Sequence, residues 1–407
     1  MEPKSHSEFC HVPLRIIIAG HFAWQTWAFC CGARVYGRSA GVGLTPPTKQ
    51  WYESEKVLAA EDPTCYEAEG FEVRRWDTGD VITRTPFPAE KKMIPVLHSD
   101  LKSALVSRAR EMDNVEIKFG SRVADVETGG PEVTLATGER ISGDLIIIAD
   151  GVGSSLKWKV CPSKLERAQS TGEAAYRLVL SRQLLEKDEE LLALVQRPWA
   201  TRWDGPRGKI MAYPIHNFEL LNMVLLHPAE NAEESWNSTI QKHHVLADFQ
   251  AWNSVVRKLI DLAPDNVPNF RVLTHSPSPA WVNGSVMLLG DACHAMPPYL
   301  GQGVAQAVED AIAITTVLSL IESKQQLPAA LLAYETSRKT RVIEMQAATQ
   351  QVAYRKDGEL KVAREKGEED ALDAKNSNDL IKVMRSSWEY DAAEAAQMAL
   401  LSGLAKA

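Results

Sequence analysis

The chain has 407 residues, enough for two domains with substantial cores, and its 45% hydrophobic and 24% charged residues are ordinary for a globular protein. A formal net charge of −8 leaves no basic surplus to neutralise phosphates, which excludes a nucleic-acid binder. The six cysteines, at 10, 30, 31, 65, 161 and 293, include no Cys-x-x-Cys pair and no Cys/His cluster with metal-ligand spacing, so reduced cytoplasmic thiols are the simplest reading. Met1 to Pro13 lacks an apolar signal core, and no run approaches the ~18 apolar residues of a membrane span.

In chain order, Leu14-Arg-Ile-Ile-Ile-Ala-Gly20 predicts an opening buried strand. Phe71 to Ile82 alternates and turns at Thr78-Gly79, a hairpin whose Arg74, Arg75 and Trp76 read either as a cation–π patch or, more simply, as one face of an exposed hairpin. Ser99 is a candidate cap for a helix running on through Leu105. Glu116 to Phe119, Arg122 to Glu127 and Glu132 to Ile141 predict short strands, the last stretch turning at Thr137-Gly138. Asp144 to Ile148 predicts a buried strand followed by a turn at Asp150-Gly151. Ala175 to Leu180 and Leu220 to Leu226 suit an antiparallel sheet.

The most informative stretch is Val286 to Asp310. An apolar run, Val286 to Leu289, ends at Gly290 and Asp291, where open α/β sheets place ligands. A Pro/Gly loop follows, and a helix of small apolar residues begins near Gly303, aiming free N–H groups at whatever sits there. The pattern closely resembles the second FAD fingerprint of the group A flavoprotein monooxygenases, the salicylate-hydroxylase-like branch of the p-hydroxybenzoate hydroxylase family. The fingerprint Gly-Asp-Ala-x-His-x-x-x-Pro-x-x-Gly-x-Gly stands here as Gly290, Asp291, Ala292, His294, Pro298, Gly301 and Gly303. The resemblance implies that Asp291 binds ribityl hydroxyls and that backbone near Gly303 and Val304 meets the isoalloxazine. His294 reads as a packed histidine rather than a catalytic base.

Further segments carry the same resemblance. Asp150, Gly151 and Ser154 match the family's Asp-Gly motif, with Lys157 in place of its terminal Arg. Asp100 and Leu101 match its Arg-x-Asp-Leu element, with His98 in place of the Arg that reaches the cofactor. Ser39 to Pro46 resembles the Gly-Ala-Gly-Ile-x-Leu-x-Pro segment and assigns Gly41 to the cofactor side. Val123 stands where the family's backbone contacts adenine. Tyr213 belongs to a Gly-Pro-x-x-His-x-x-x-Tyr-Pro segment in which Lys209 replaces the His, and Arg177 stands where fungal-type members have an Arg facing the active site. Arg177 and Tyr213 are therefore the catalytic candidates. Leu331 to Arg341 resembles the family's Tyr-Glu-x-x-Arg-x-x-Arg helix.

The resemblance breaks after Gly20. The dinucleotide fold requires Gly-x-Gly-x-x-Gly, a helix and an acid-ended second strand. Here His21 to Cys30 supplies no further glycine, and Trp24 and Trp27 stand where close backbone approach is needed. Either a misplaced exon boundary has replaced residues 21 to 38, or the chain is a paralogue that has lost the element.

The implied architecture is α/β, a doubly wound FAD-binding domain with a discontinuous antiparallel-sheet substrate domain and C-terminal helices. The expected division is FAD domain 1–65, substrate-domain hairpin 66–95, FAD domain 96–160, substrate domain 161–280, FAD domain 281–355, and a charged, Ala-rich tail 356–407 whose last stretch, from Asp391, docks as a helix or frays. The implied activity is FAD- and NAD(P)H-dependent monooxygenation. O₂ adds to the reduced flavin as a C4a-hydroperoxide, and one oxygen atom passes to an aromatic or polyketide- or terpenoid-like small molecule. NAD(P)H binds only transiently. No metal, nucleic acid or membrane span is expected, and oligomeric state is not legible. Two alternatives stay open: a non-catalytic flavin-fold remnant with impaired FAD binding, supported only by the broken fingerprint, and a flavin oxidase or dehydrogenase of the same fold.

Overall fold

The computed structural model describes residues 13–19, 41–57, 64–162, 167–229 and 238–353, then 366, 368, 371–372, 375, 382–385 and 387–405. Gly20, the atypical stretch 21–38 and most of 356–379 lie outside the described residues. The strands are β1 (Ile16–Ala19), β2 (Gly41–Leu44), β3 (Gly70–Arg75), β4 (Val81–Pro86), β5 (Ile94–Leu97), β6 (Val123–Glu127), β7 (Glu132–Leu135), β8 (Arg140–Ser142) and β9 (Leu145–Ile148). They continue with β10 (Gln169–Ser181), β11 (Trp199–Gly205), β12 (Gly208–Ile215), β13 (Leu220–Pro228), β14 (Thr239–Gln241), β15 (Asn266–Thr274), β16 (Val282–Asn283) and β17 (Val286–Leu288).

Two sheets carry the architecture. In the first, ordered β1-β9-β17-β16, the expected apolar runs pair in parallel: Ile16 opposite Leu145, and Val286 opposite Ile146. All four residues of β9 are buried, as a parallel strand covered on both faces requires. Helix Gly303–Leu320 packs Ala307, Ile314 and Val317 into this core, and helix Leu327–Ala353 adds Leu331 and Tyr334. The Tyr334 hydroxyl donates to the Leu288 carbonyl at 3.0 Å, so its one polar atom is satisfied inside the core. Helix Gly303–Leu320 is long and apolar enough to cross a membrane, but about two thirds of it is buried in the protein.

The second sheet has eight strands in the order β14-β15-β10-β13-β12-β11-β3-β4, antiparallel except where β11 meets β3. Its outer face packs on a core built around Trp203, Phe249 and Trp252. The β3–β4 hairpin forms at Thr78-Gly79 as expected, but it is not simply an exposed face. Glu72, fully buried, accepts from Arg74 Nε (2.5 Å), Arg84 Nε (2.6 Å) and Arg197 Nη1 (3.0 Å), while Trp76 packs edge-on against Trp252. Burial raises the Glu72 carboxyl, and the hydrogen bonds from Arg197, Arg74 and Arg84 outweigh it, bringing the pKa down to about 2.

Smaller pieces complete the fold. β2 pairs antiparallel with β5, and β6-β7-β8 forms a meander. The expected strand at Glu116–Phe119 does not form. Its Lys118 pairs with Glu116 and Glu139 at the surface and Phe119 is 56% exposed, so the run has no apolar face to bury against a partner. At the C-terminus, Asp391 caps helix Ala392–Leu404 by accepting from the Ala393 and Glu394 N–H groups. That helix docks Ala396 and Leu400 into the first core rather than fraying.

Candidate active site

The site is assembled where the first sheet ends. β17 ends at Leu288, and two residues on Gly290, whose φ of 61° and ψ of −138° suit glycine, turns the chain directly into the one-turn helix Asp291–His294. A Pro-Tyr-Leu turn and Gly301, at φ 63°, then lead into helix Gly303–Leu320. Beneath this turn lies Asp310, with 0% exposure. Its Oδ2 accepts from the Gly290 N–H (3.0 Å) and from His294 Nε2 (2.6 Å), and its Oδ1 accepts from Arg338 Nε (2.9 Å). Burial pushes the Asp310 carboxyl up, and the opposing charges and hydrogen bonds of His294 and Arg338 more than offset this, leaving it below its ordinary value. His294 is therefore spent on structure, as its sequence reading had it.

The Asp150-Gly151 turn abuts this assembly. Asp150 Oδ2 accepts from the Ser155 N–H (3.1 Å), and Ser154 Oγ accepts from the Lys157 N–H (3.0 Å). Lys157 is buried with its Nζ 3.2 Å from His275 Nε2, and burial holds its pKa below the ordinary lysine value. Burial and then the Lys157 charge bring His275 down to about 4, so the imidazole stays neutral at physiological pH.

A cavity of about 320 Å³ opens between this assembly and the inner face of the eight-stranded sheet. Asp291, Pro298, Gly301, Gly303 and Val304 line one side of it. Gly41, His98, Arg177 and Tyr213 line it from β2, the β5–helix junction, β10 and β12. Val123, Asp150, Gly151 and Gly290 are not among its lining residues; Asp150, Gly151 and Gly290 shape the turns behind it. Gly20 lies outside the described residues.

Chemistry follows from these placements. Arg177 lies 5.7 Å from the Phe270 ring centroid, so a guanidinium is held against an aromatic wall. The Tyr213 hydroxyl donates to the Gly41 carbonyl (2.7 Å), while Asn222 Oδ1 accepts from the Gly41 N–H (2.9 Å). A Cβ at residue 41 would stand 2.7 Å from the Tyr213 ring, which only glycine avoids. Burial raises Tyr213 to about 12, so it is a neutral hydrogen-bond donor and not a base near pH 7. Burial, then the charges of Lys102 and Arg177, lower His98 to about 4, and it too is neutral.

Several wall residues went unread in the sequence. Arg202, Arg271, Met93 and Met384 all face the cavity. Arg202 carried a faint signal, Asp204 two residues on along a strand, and the two pair at 2.7 Å. Met384 carried none.

The residues present fit the flavin end of FAD. A Cβ on Gly301 would meet nothing within 4 Å, so a planar ring can approach the backbone there. Asp291 offers carboxylate oxygens at the strand end, and the N-terminus of helix Gly303–Leu320 offers unpaired N–H groups. Comparison with known proteins agrees. The family model of the FAD binding domain matches residues 77–349. The FAD-dependent monooxygenase atnJ of Arthrinium sp is 53% identical over 365 residues, covering 89% of this chain and 87% of the relative.

This chain belongs to the FAD-dependent monooxygenases.

A second relative of the monooxygenase, OpS4 of Beauveria bassiana, is 32% identical over 345 residues, covering 80% of this chain and 79% of its own. A salicylate hydroxylase substrate complex superposes with a TM-score of 0.76 at 20% identity, covering 95% of this chain and 98% of that one, which shows a shared fold. Of the function classes that the sequence left open, FAD-dependent monooxygenation is the one that holds, and the α/β architecture with its antiparallel substrate-side sheet is that of the family.

Proposed function

We propose that this monooxygenase uses NAD(P)H as a transient reductant and O₂ as oxidant to insert one oxygen atom into an aromatic or polyketide- or terpenoid-like small molecule. The observation that carries the proposal is a cavity with the Asp291–Val304 loop on one side and Arg177 on the other. Names of relatives point the same way: the 6-methylsalicylate 1-monooxygenase atA of Aspergillus terreus is 28% identical over 244 residues. Bound FAD supplies the chemistry, activating O₂ once reduced.

The chain's own residues hold and shield the reactants. Asp291 would hold the ribityl hydroxyls, with Gly290, Pro298, Gly301, Gly303 and Val304 shaping the ring site. Gly41 and His98 would flank the flavin, and Gly20 and Val123 would belong to its nucleotide end. Asp150 and Gly151 would back the path by which the nicotinamide arrives. Arg177 would orient an oxygen of the substrate by its fixed positive charge. Tyr213, neutral and bonded to Gly41, would set the position of that strand relative to the ring. The largely apolar lining, with Phe71, Phe87 and Phe270 among it, excludes water during oxygen transfer.

The division into FAD and substrate segments given above is part of the same proposal. So is a cytoplasmic location, on the strength of six cysteines spaced for neither a Cys-x-x-Cys pair nor a metal site.

The test is isotopic. With a panel of phenols and polyketide-like hydroxyarenes, NAD(P)H oxidation should accelerate on substrate addition, and oxygen-18 gas should label the product with one atom. Product oxygen derived from water, or wholesale conversion of O₂ to peroxide with dehydrogenated product, would overturn the reading.

A further inference from the structure

We propose that Met384, carried by the C-terminal segment, is a specificity-determining wall of the substrate cavity. This rests on that cavity being the substrate site proposed above. Met384 is 3% exposed and lines the cavity, packing in one cluster with Phe87, Met93 and Leu300. Those three come from the hairpin side of the eight-stranded sheet and from the turn before Gly301. Met384 therefore sits where the substrate side and the proposed flavin side of the cavity come together, about 300 residues after Phe87 in sequence.

The segment is built to hold that side chain in place. Ser387 is the fastening point. Its Oγ accepts from Gln302 Nε2 (3.2 Å) and donates to the Met384 carbonyl (2.6 Å), and its own carbonyl accepts from Arg341 Nη2 (2.9 Å). Gln302 is the residue immediately before helix Gly303–Leu320, so the segment is tied to the loop that lines the cavity. On the other side, Trp388 packs edge-on against Phe87, with ring centroids 5.4 Å apart. Tyr390 completes the tie: its hydroxyl donates to the Ser337 carbonyl (3.0 Å), and Arg341 lies 4.8 Å from its ring centroid. These ties fix the backbone that carries Met384, so its side chain enters the cavity from a set position.

Two observations make this a device of specificity rather than of general chemistry. Met384 contributes only a thioether and methylenes, which exclude volume and move no proton. It also lies beyond residues 77–349, the span that the family model matches, whereas Phe87, Met93 and Leu300 lie within it. The chemistry-bearing loop thus lies within the span that the family model matches, and Met384 lies after it.

The test uses the full chain and 2-naphthol and 9-phenanthrol as probes, titrated calorimetrically into the wild type, Met384→Trp, Met384→Ala and Met384→Leu. Met384→Trp should weaken 2-naphthol binding by about tenfold or more, Met384→Leu should restore wild-type affinity, and Met384→Ala should gain about tenfold for the larger phenanthrol. Circular dichroism confirms the fold, and Met384→Leu guards against loss of the segment's packing. The same affinities in all four proteins, absence of binding included, overturn the assignment. Flavin absorbance and naphthol-stimulated NAD(P)H oxidation are read in parallel. Their failure with the expected affinity order intact counts against the monooxygenase site and leaves the wall standing.

Discussion

Asp310→Ala tests how the loop bearing Asp291 is held. The substitution leaves three buried donors without their acceptor: the Gly290 N–H, His294 Nε2 and Arg338 Nε. Breaking a buried ion pair by removing one partner costs about 3–5 kcal/mol. Here Arg338 keeps Glu309, with Nη1 to Oε2 at 2.5 Å, and Gln306 Oε1 at 2.8 Å, so its charge is not stranded. The expected loss therefore sits at the low end, about 3 kcal/mol. Urea unfolding followed by circular dichroism measures it. Because Gly290 directly precedes Asp291, flavin affinity should fall as well, under conditions where the variant is still folded. The pH dependence has a definite sign. The native carboxyl is depressed, so its contribution is present above the unfolded-state pKa and fades as pH falls through the lower folded-state value. Asp310→Ala should lose the part of the acid-limb slope that this group supplies. A stability change below about 1 kcal/mol together with unaltered flavin affinity would refute the reasoning, since a surface carboxylate would give that result.

Asp291→Ala should weaken flavin binding with the fold intact, by the roughly 1.5–3 kcal/mol of each lost charge-assisted hydrogen bond; unchanged affinity by flavin fluorescence titration would make Asp291 a strand-end turn residue only. Glu72→Gln should destabilise the β3–β4 hairpin at neutral pH by about 3 kcal/mol, the equivalent of a carboxyl moved from 4.5 to about 2. Because that pKa is depressed, the difference between wild type and variant should shrink as pH falls from about 4.5 towards 2, and a gap that stays constant in acid unfolding would count against it. Arg177→Ala should lower substrate-stimulated turnover by tenfold or more, on the order of 1.4 kcal/mol, while flavin content changes little; parallel loss of both would move Arg177 to the cofactor.

The sequence was most legible where local chemistry and tertiary placement coincide. Ile146 to Ile148 and Val286 to Leu288 are apolar on both faces because parallel strands are buried on both, and each became the predicted strand. Gly290 and Asp291 were readable because a strand-end turn and a following acid share two adjacent positions. Glu116 to Phe119 has the residue pattern of a short strand and forms none, because a strand also needs a partner edge and something apolar to cover it. The Glu72 cluster was not readable because its three guanidiniums come from positions 74, 84 and 197, and no local pattern announces a carboxylate that collects them.

The cavity shows the same limit at the level of function. The side proposed to hold the flavin is compressed into one motif, so residue spacing near Asp291 and Gly301 carries most of the chemical information. The side proposed to select substrate is distributed: Arg177 comes from β10, Tyr213 from β12, Arg271 from β15, and Met384 from a segment after the long helix. Each of these is an ordinary residue on an ordinary element until the sheet registers bring it inward, as when Arg177 falls opposite Val224 and Val224 opposite Met211, all three on the cavity. A cofactor that performs the difficult step needs a compact, recurrent cradle, while substrate choice needs only shape and charge, which many unrelated side chains can supply. Reaction class was therefore legible in the sequence and substrate was not, and the residues that distinguish this monooxygenase from its relatives are to be sought on the distributed walls rather than in the motif.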